Sequence, residues 1–209
     1  SKISQLDGIS YGAFIIPGLM MLSVMTTSVN YAAFGIYLPK YTGSIYEVMS
    51  APISAFEVII GYVGAAATKS IIISFLILLT ATFFVSFEIK HPFWMFSLLV
   101  ITGITFSLFG FIIGIWASNF EKLQLIPLII ITPLVFLGGS FYSTSMLPNF
   151  WQTITQLNPI FYIINGFRWS FFGTSDVAIH ISLSCIAIFL FLCIIIVSII
   201  FKTGYKIRD

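Results

Sequence analysis

The sequence predicts an all-α protein built from several membrane-spanning helices, and three observations lead to this fold class. Hydrophobic residues make up 59% of its 209 residues, and charged residues only 8%. Soluble domains carry about 25% charged residues, so this composition cannot form a water-soluble surface. Five apolar segments are each long enough to cross a bilayer as a helix, which takes about 20 residues. These segments lack the alternation expected of strands in a membrane β-barrel.

The five predicted spans differ in how clearly the sequence marks their ends. The first is long for a single crossing, and Pro17-Gly18 is expected to split it into an outer piece and a true span. Proline kinks are expected in the fourth span, at Pro127 and Pro133. The second span is predicted to begin between Ser54 and Ser70 and to end near Phe87. The first, third, fourth and fifth spans are predicted at Ile9–Leu38, Phe93–Ala117, Leu123–Phe141 and Val177–Phe201.

Basic residues predict the orientation of the spans. Because five is an odd number, the two ends of the chain lie on opposite sides of the membrane. If the basic tail Lys202–Arg208 is cytoplasmic, Lys40 and Lys122 are cytoplasmic as well. Five cations then face the cytoplasm and three, Lys2, Lys90 and Arg168, face outside. Cytoplasmic loops carry the excess of Lys and Arg, so we expect a cytoplasmic C-terminus. This orientation puts the N-terminus outside the cell, but no signal peptide is visible that would carry it there. We therefore expect a sixth span before Ser1.

The loop after the first span predicts a helix, a break and a second helix. Ser44-Ile45-Tyr46-Glu47 matches a capping box, and Ser54-Ala55-Phe56-Glu57 repeats it. A short helix should therefore begin at Ser44 and end before Pro52. So short a helix is unstable alone and has to pack on something. Two interpretations stay open: it lies on the membrane or its own bundle, or it binds a cytoplasmic partner. Its candidate contact residues are Ser44, Ile45, Tyr46, Glu47, Val48 and Met49, of which Ile45, Val48 and Met49 share one face.

Polar and small residues inside the spans indicate contacts between helices or a substrate path. Ser23, Thr27 and Asn30 share one face of the first span, where they either join helices or line a path for substrate. In the third span, small residues recur at helical spacing and predict a groove for a neighbouring helix. These residues are Gly103, Ser107, Gly110 and Gly114.

Several classes of function are disfavoured by what the spans lack. Ion-coupled carriers need ionisable groups at depth, and spans one, three, four and five have none in their middles. Glu57 and Lys69 are assigned to the start of the second span, with Lys69 extending towards the cytoplasm. Lys69-Ser70 is not a phosphate-binding loop, because Thr68 stands where that motif needs glycine.

Catalytic and metal-binding patterns are also missing from the sequence. Neither a Ser/His/Asp set nor a pair of catalytic carboxylates is apparent. Asp176 and His180 are four residues apart and are expected to stabilise the start of the fifth span. No basic cluster is long enough to bind nucleic acid. We therefore expect a non-enzymatic protein with no cofactor, no metal and no nucleic-acid partner, and any energy for transport should come from elsewhere.

The segment from residue 142 to 176 is apolar but repeatedly interrupted. It predicts two short helices, Pro148–Leu157 and Pro159–Phe172, that dip into the outer leaflet without crossing it. Arg168 is expected to pair with Asp176 or lipid headgroups, or to touch substrate. The candidate residues of these outer re-entrant helices are Trp151, Asn158, Pro159, Tyr162 and Arg168.

Four stretches of the chain, in order, resemble the membrane subunit of type-2 ABC exporters. That group includes drug, lipo-oligosaccharide and polysaccharide export permeases, and the drug and lipo-oligosaccharide branch is the most similar. The likeness covers essentially the whole chain. It rests on Phe14–Gly18, Thr42–Glu47 with Ala51–Ile53, Glu57–Gly61, and Asn158–Tyr162 followed by Arg168.

The resemblance implies a fold, a partner and a mechanism. Residues 1–209 would form one transmembrane permease domain in the inner membrane, lacking the family's N-terminal amphipathic helix and first span. Two permeases would pair, and each would dock an ATP-binding subunit on a coupling helix, here Ser44–Ser50. ATP binding would move these helices and open a path formed by the first and fourth spans. The alternative is a structural or assembly membrane protein without transport activity, which would recruit no ATP-binding subunit.

Overall fold

The computed structural model describes residues 5–6 and 9–204 of the chain, without the side chains of Gln5, Leu6, Met49 and Ser145. Lys2, Lys206 and Arg208, which entered the prediction of orientation, lie outside the described residues. A short antiparallel pair of strands, β1 (Gln5–Leu6) and β2 (Ile9–Ser10), precedes the helices. The helices are α1 (Tyr11–Thr42), α2 (Ile45–Ser50), α3 (Ala55–Thr82), α4 (Pro92–Trp116), α5 (Phe120–Ile126), α6 (Thr132–Leu137), α7 (Asn149–Leu157), α8 (Pro159–Phe172) and α9 (Ile179–Thr203).

Five crossings are long and apolar enough to span a membrane within the described residues. They are α1, α3, α4, the α5–α6 segment and α9, so the predicted all-α membrane fold is confirmed. The fourth crossing is irregular, as its prolines predicted. A π-helical stretch, Pro127–Ile131, separates α5 from α6, and Pro133 lies in the first turn of α6. The second span ends at Thr82, five residues before the predicted end.

Helix α1 is continuous over 32 residues, so the predicted break at Pro17-Gly18 is wrong. Proline removes a single backbone donor, and packing on neighbouring helices compensates for that loss within a membrane bundle. Ile16 and Met20, on either side of the pair, are both buried. Gly18 has a different role: a side chain there would collide with the backbone of Ser140.

Helix α1 forms the centre of the bundle because small residues let α4 and α3 approach it closely. A Cβ at Gly110 or Gly114 of α4 would run into the α1 backbone at Val29 or Ala33. On the other side of α1, a buried hydrogen bond of 2.8 Å joins the hydroxyls of Ser28 and Ser70. The groove of small residues predicted for the third span is therefore confirmed.

The bundle has two ends, which we call the α2 end and the α8 end. The α2 end carries α2, the connection from α4 to α5, and the last turn of α9. The α8 end carries the strands, the connection from α3 to α4, and the helices α7 and α8. Two backbone hydrogen bonds of 2.9 Å, from the amides of Lys90 and His91 to the carbonyls of Phe171 and Ser170, fasten α8 to the start of α4.

Candidate functional site

Helix α2 forms where the sequence predicts it, but its N-terminus is not capped by Ser44. Gly43 ends α1 in the left-handed conformation, with φ of 81°, and leaves Ser44 in the helical region. A capping residue needs extended backbone, so the predicted Ser44–Glu47 box is wrong. The Ser44 hydroxyl lies 3.0 Å from that of Thr42 instead.

The second predicted capping box, at the start of α3, is confirmed. Ser54 has extended backbone, and its hydroxyl accepts a hydrogen bond of 3.2 Å from the amide of Glu57. The Glu57 carboxylate accepts one of 2.7 Å from the amide of Ser54. This box fixes the start of α3 and thus the length of the loop that holds α2.

Helix α2 has one face inside the bundle and one face outside it. Ile45 is 2% exposed and packs in a cluster with Ala32 and Ile36 of α1. Tyr46 is 53% exposed, and Glu47 is exposed beside it. Ile45 therefore anchors the helix to its own bundle, and binding of a cytoplasmic partner by the exposed residues Tyr46 and Glu47 stays a prediction.

The last two turns of α1, which lead into α2, are tied to the rest of the α2 end by two kinds of contact. The Lys40 ammonium donates a hydrogen bond of 2.6 Å to the carbonyl of Ile115, near the end of α4. The ring of Phe120, at the start of α5, lies 5.1 Å from that of Tyr37 and 5.8 Å from that of Tyr41. A displacement of α2 would therefore act on α1, α4 and α5 together. The sequence analysis missed these contacts, because each joins residues that are 75 or more positions apart in the chain.

A groove between α1 and the fourth crossing contains one of the three predicted path residues. It has a volume of about 400 Å³, and polar side chains from both walls face it. Asn30 is exposed and lines the groove, whereas Ser23 and Thr27 are half-buried and do not line it. The lining side chains include Thr26, Asn30, Phe34, Gln124, Leu128 and Thr132. A polar contact between α1 and α3 is made by Ser28, which the sequence analysis did not select.

The two outer helices form within a residue of their predicted bounds. Asn158 joins them: its side chain accepts a hydrogen bond of 3.0 Å from the amide of Ile160 and donates one of 2.6 Å to the carbonyl of Leu134. Pro159 occupies the first turn of α8, and the Tyr162 hydroxyl donates to the carbonyl of Gln156. Trp151 of α7 is 45% exposed. An exposed Trp suits a helix at the membrane surface.

The side chain of Arg168, a residue of α8, is buried in the protein, so it does not reach lipid headgroups. Its guanidinium donates a hydrogen bond of 2.5 Å to the carbonyl of Gly139 and lies over the ring of Phe14. Burial lowers the pKa of Arg168 to about 10, and the nearby charge of Asp176 opposes that change. Arg168 is therefore protonated at neutral pH and joins α8 to α1 and to the loop after α6.

Asp176 does not lie on a helix with His180, because α9 begins only at Ile179. Its carboxylate accepts hydrogen bonds from the Ser143 hydroxyl and from the amide and hydroxyl of Thr144. The predicted stabilising pair is wrong, and Asp176 instead fastens the loop before α9 to the loop after α6.

Lys69 lies halfway along α3, and not at its start as the sequence analysis assigned it. Its ammonium sits 3.3 Å from the centre of the Tyr31 ring. A lysine at the centre of a membrane helix costs about 2.5–3.5 kcal/mol. A cation–π contact of this kind returns about 0.5–2 kcal/mol. Helix α3 thus carries an ionisable group near its middle, where the sequence analysis expected none.

Comparisons with known proteins identify the family. The model of the ABC-2 type transporter family matches residues 2–172, most of the chain. The chain belongs to the ABC-2 type transporter family. The permease is 37% identical over 190 residues to the inner membrane transport permease YadH of Escherichia coli K12, covering 91% of this chain and 74% of that protein. It is 26% identical over 196 residues to nodulation protein J of Rhizobium leguminosarum biovar viciae, covering 89% and 73%.

The structure of the permease separates the predicted site residues into three places. The α2 residues lie at one end of the bundle, Asn30 lies along α1, and the residues of α7 and α8 lie at the other end. The sequence analysis did not predict the contact between the Lys69 ammonium and the Tyr31 ring. Counting fifteen residues from the capping box at Ser54 would have placed Lys69 near the middle of a 28-residue helix.

Proposed function

We propose that this permease is the membrane subunit of an ATP-driven exporter in the inner (plasma) membrane, and that a separate subunit hydrolyses the ATP. The family assignment supports a transport role. The observation that carries the proposal further is the division of α2 into an anchored face and an accessible face. Ile45 fixes the helix to the bundle, and Tyr46 and Glu47 point away from it.

The geometry of the α2 end supports transmission of force from a partner to the bundle. Helix α1 has 32 residues and is therefore about 48 Å long, which exceeds the hydrocarbon thickness of about 30 Å. Its α2 end can thus stand in water, where an ATP-binding subunit is able to dock. Lys40 and the ring of Phe120 then link movement of α2 to α4 and α5, and α5 borders the groove that contains Asn30.

The path is proposed to form between two copies of the permease, with α1 and the fourth crossing of each copy facing it. Polar side chains along this groove, Asn30 and Gln124 among them, suit passage of a molecule with polar groups. Substrate would leave past α7 and α8. With the α2 end in the cytoplasm, the described cations Lys40, Lys122 and Lys202 all lie on the cytoplasmic side.

The decisive experiment is affinity purification of the tagged full-length protein, followed by identification of bound subunits and assay of ATP hydrolysis. We expect an ATP-binding subunit to co-purify. The double variant Tyr46→Ala/Glu47→Lys should lower its recovery about tenfold, because both side chains lie at the centre of the proposed contact.

Glu88→Lys is the matched control, since Glu88 is also exposed but lies at the α8 end. It should leave recovery of the ATP-binding subunit unchanged. If the unaltered protein recovers no such subunit, the exporter function is refuted in favour of a structural or assembly role. If the α2 variant retains full recovery, α2 is not the docking helix.

A further inference from the structure

A small cavity at the α8 end is lined by the start of α1, by α8, and by the loops after α6 and before α9. We call it the outer cavity. Its volume is about 80 Å³, and its lining includes Phe14, Ser143, Arg168, Phe172, Ser175 and Asp176. Arg168 is 5% exposed, whereas Asp176 is exposed. A buried cation and an accessible carboxylate therefore line the same cavity.

The guanidinium of Arg168 is only partly satisfied in its buried position. A guanidinium carries five N–H donors. Arg168 donates one hydrogen bond, to the carbonyl of Gly139, and its buried Nε has no hydrogen-bond partner among the described residues. The guanidinium also lies over the Phe14 ring, 4.1 Å from its centre. Because a buried charge with few acceptors is costly, a further acceptor would stabilise this side chain.

Asp176 is a second acceptor within the same cavity. Its charge acts on Arg168, but the two groups are not within ion-pair distance in the described structure. The carboxylate is held in place by the hydroxyl of Ser143 and the amide of Thr144, and the Asp176 amide donates to the side chain of Asn165 in α8. A carboxylate can bind a guanidinium through two parallel hydrogen bonds. The Arg168 side chain thus has two alternative sets of partners.

Helix α1 connects the first set of partners to the opposite end of the bundle. Phe14 lies in the first turn of α1, and the helix continues unbroken to Thr42, next to α2. Gly18, one turn further along, packs against the backbone of Ser140, beside the carbonyl that accepts from Arg168. A displacement of α1 that begins at the α2 end therefore reaches the contact between Phe14 and Arg168.

We propose that Arg168 exchanges partners when the α8 end opens: it holds α8 to Phe14 and Gly139 in the closed arrangement and pairs with Asp176 in the open one. This inference rests on the proposed export function and adds a positioning residue to its release step, since Arg168 acts on α8 and not on substrate. The ion pair compensates for the contacts that are given up. The two arrangements are therefore close in free energy, and a displacement of α1 is enough to select one of them.

A double-mutant cycle on the purified full-length permease tests the exchange. Phe14→Leu removes the ring and should favour pairing of Arg168 with Asp176. Asp176→Asn should therefore lower the thermal midpoint by about 2–4 °C more in the Phe14→Leu background than in the unaltered protein. Arg168→Met should abolish this difference, because no guanidinium remains to pair.

Two matched controls are measured in the same backgrounds. Thr144→Val removes a hydroxyl that binds Asp176 and loosens the same loop, but it leaves the carboxylate in place. Glu88→Gln removes another exposed carboxylate at the α8 end. The effect of each on the midpoint should be the same with and without the Phe14 ring. Equal effects of Asp176→Asn in the two backgrounds, or an equal enhancement for Thr144→Val, would overturn the proposal.

Hydrogen exchange of α8, measured on the complex with the ATP-binding subunit, tests whether ATP drives the exchange of partners. Trapping with ATP and vanadate should raise exchange of the α8 amides in the unaltered protein. Asp176→Asn should remove most of that rise, and Thr144→Val should retain it. A full rise in Asp176→Asn would overturn the proposal, and this result does not depend on whether Phe14→Leu folds.

Recovery of the ATP-binding subunit separates this inference from the export function. If the subunit is recovered but Asp176→Asn has equal effects in the two backgrounds, the inference alone fails. If the effects differ as expected but no such subunit is recovered, the exchange of partners is supported and the export function fails.

Discussion

At the scale of single residues, glycine determines how closely the helices of this bundle approach one another. Gly110 and Gly114 of α4 lie against the backbone of α1, whereas Gly61 of α3 faces open space. The surrounding sequence does not distinguish these three glycines, since all of them occur in apolar helices. Small residues at helix contacts in membranes allow close van der Waals packing, and that packing is lost when a side chain separates the backbones.

Substitution of Gly110 should therefore destabilise the protein, while the same substitution at Gly61 should not. Gly110→Ala places a methyl group against the Val29 backbone, and overpacking of this kind costs about 1–3 kcal/mol. Gly61→Ala adds the methyl group in open space and gains helix propensity. Thermal unfolding in detergent, followed by tryptophan fluorescence, should show a lower midpoint for Gly110→Ala alone. Equal midpoints for the two variants would contradict the assigned packing.

Charged residues show where prediction from the sequence was limited at this scale. Arg168 was expected to pair with Asp176 or headgroups, or to touch substrate, and it is buried against Gly139 and Phe14. Lys69 was assigned to the start of a span and lies in its middle. In both cases the residue type was evident, but its depth depended on helix ends and on loops far away in the sequence.

At the scale of elements, the loop from α1 to α3 shows that a capping box forms only if its first residue has extended backbone. Ser44 and Ser54 each precede a glutamate by three residues, and the two motifs look equivalent in the sequence. Gly43 has just ended α1, which leaves Ser44 with helical backbone, whereas Ser54 is extended. Proline favours extended backbone in the residue before it, here Ala51, which ends α2 and separates it from Ser54.

The two serines should therefore respond differently to alanine. Ser54→Ala removes the hydroxyl that accepts from the Glu57 amide and should cost about 1 kcal/mol. Ser44→Ala loses only a hydroxyl contact with Thr42 and should be close to neutral. Hydrogen exchange of the first turn of α3, read by mass spectrometry, should rise in Ser54→Ala and stay unchanged in Ser44→Ala. A rise in the Ser44 variant instead would restore the first capping box.

At the scale of the whole molecule, the bundle presents two chemically different ends. The α2 end contains an accessible short helix and three described cations, and the α8 end is covered by the aromatic helices α7 and α8. The proposed binding of an ATP-driven partner at one end and the proposed release of substrate at the other require a single orientation in the membrane.

Cysteine labelling in intact cells tests that orientation. The natural cysteines are replaced first by Cys185→Ala and Cys193→Ala, and single cysteines are then placed at the exposed positions Ser50 and Ser86. A membrane-impermeant maleimide should label Ser86→Cys directly, and Ser50→Cys only after the membrane is permeabilised. The reverse pattern would place the α2 end outside the cell and refute its role as an ATPase docking site.

The all-α membrane class, the number of crossings present, the short loop helix and the two outer helices were predictable from local properties of the sequence. Those properties are apolar length, proline and glycine at helix ends, and aromatic content. Packing between helices was needed to establish that α1 runs unbroken through Pro17, that Ser28 rather than Ser23 bonds to α3, and that Lys69 contacts Tyr31. Each of these depends on which helices are neighbours, and that is fixed by packing between segments far apart in the chain.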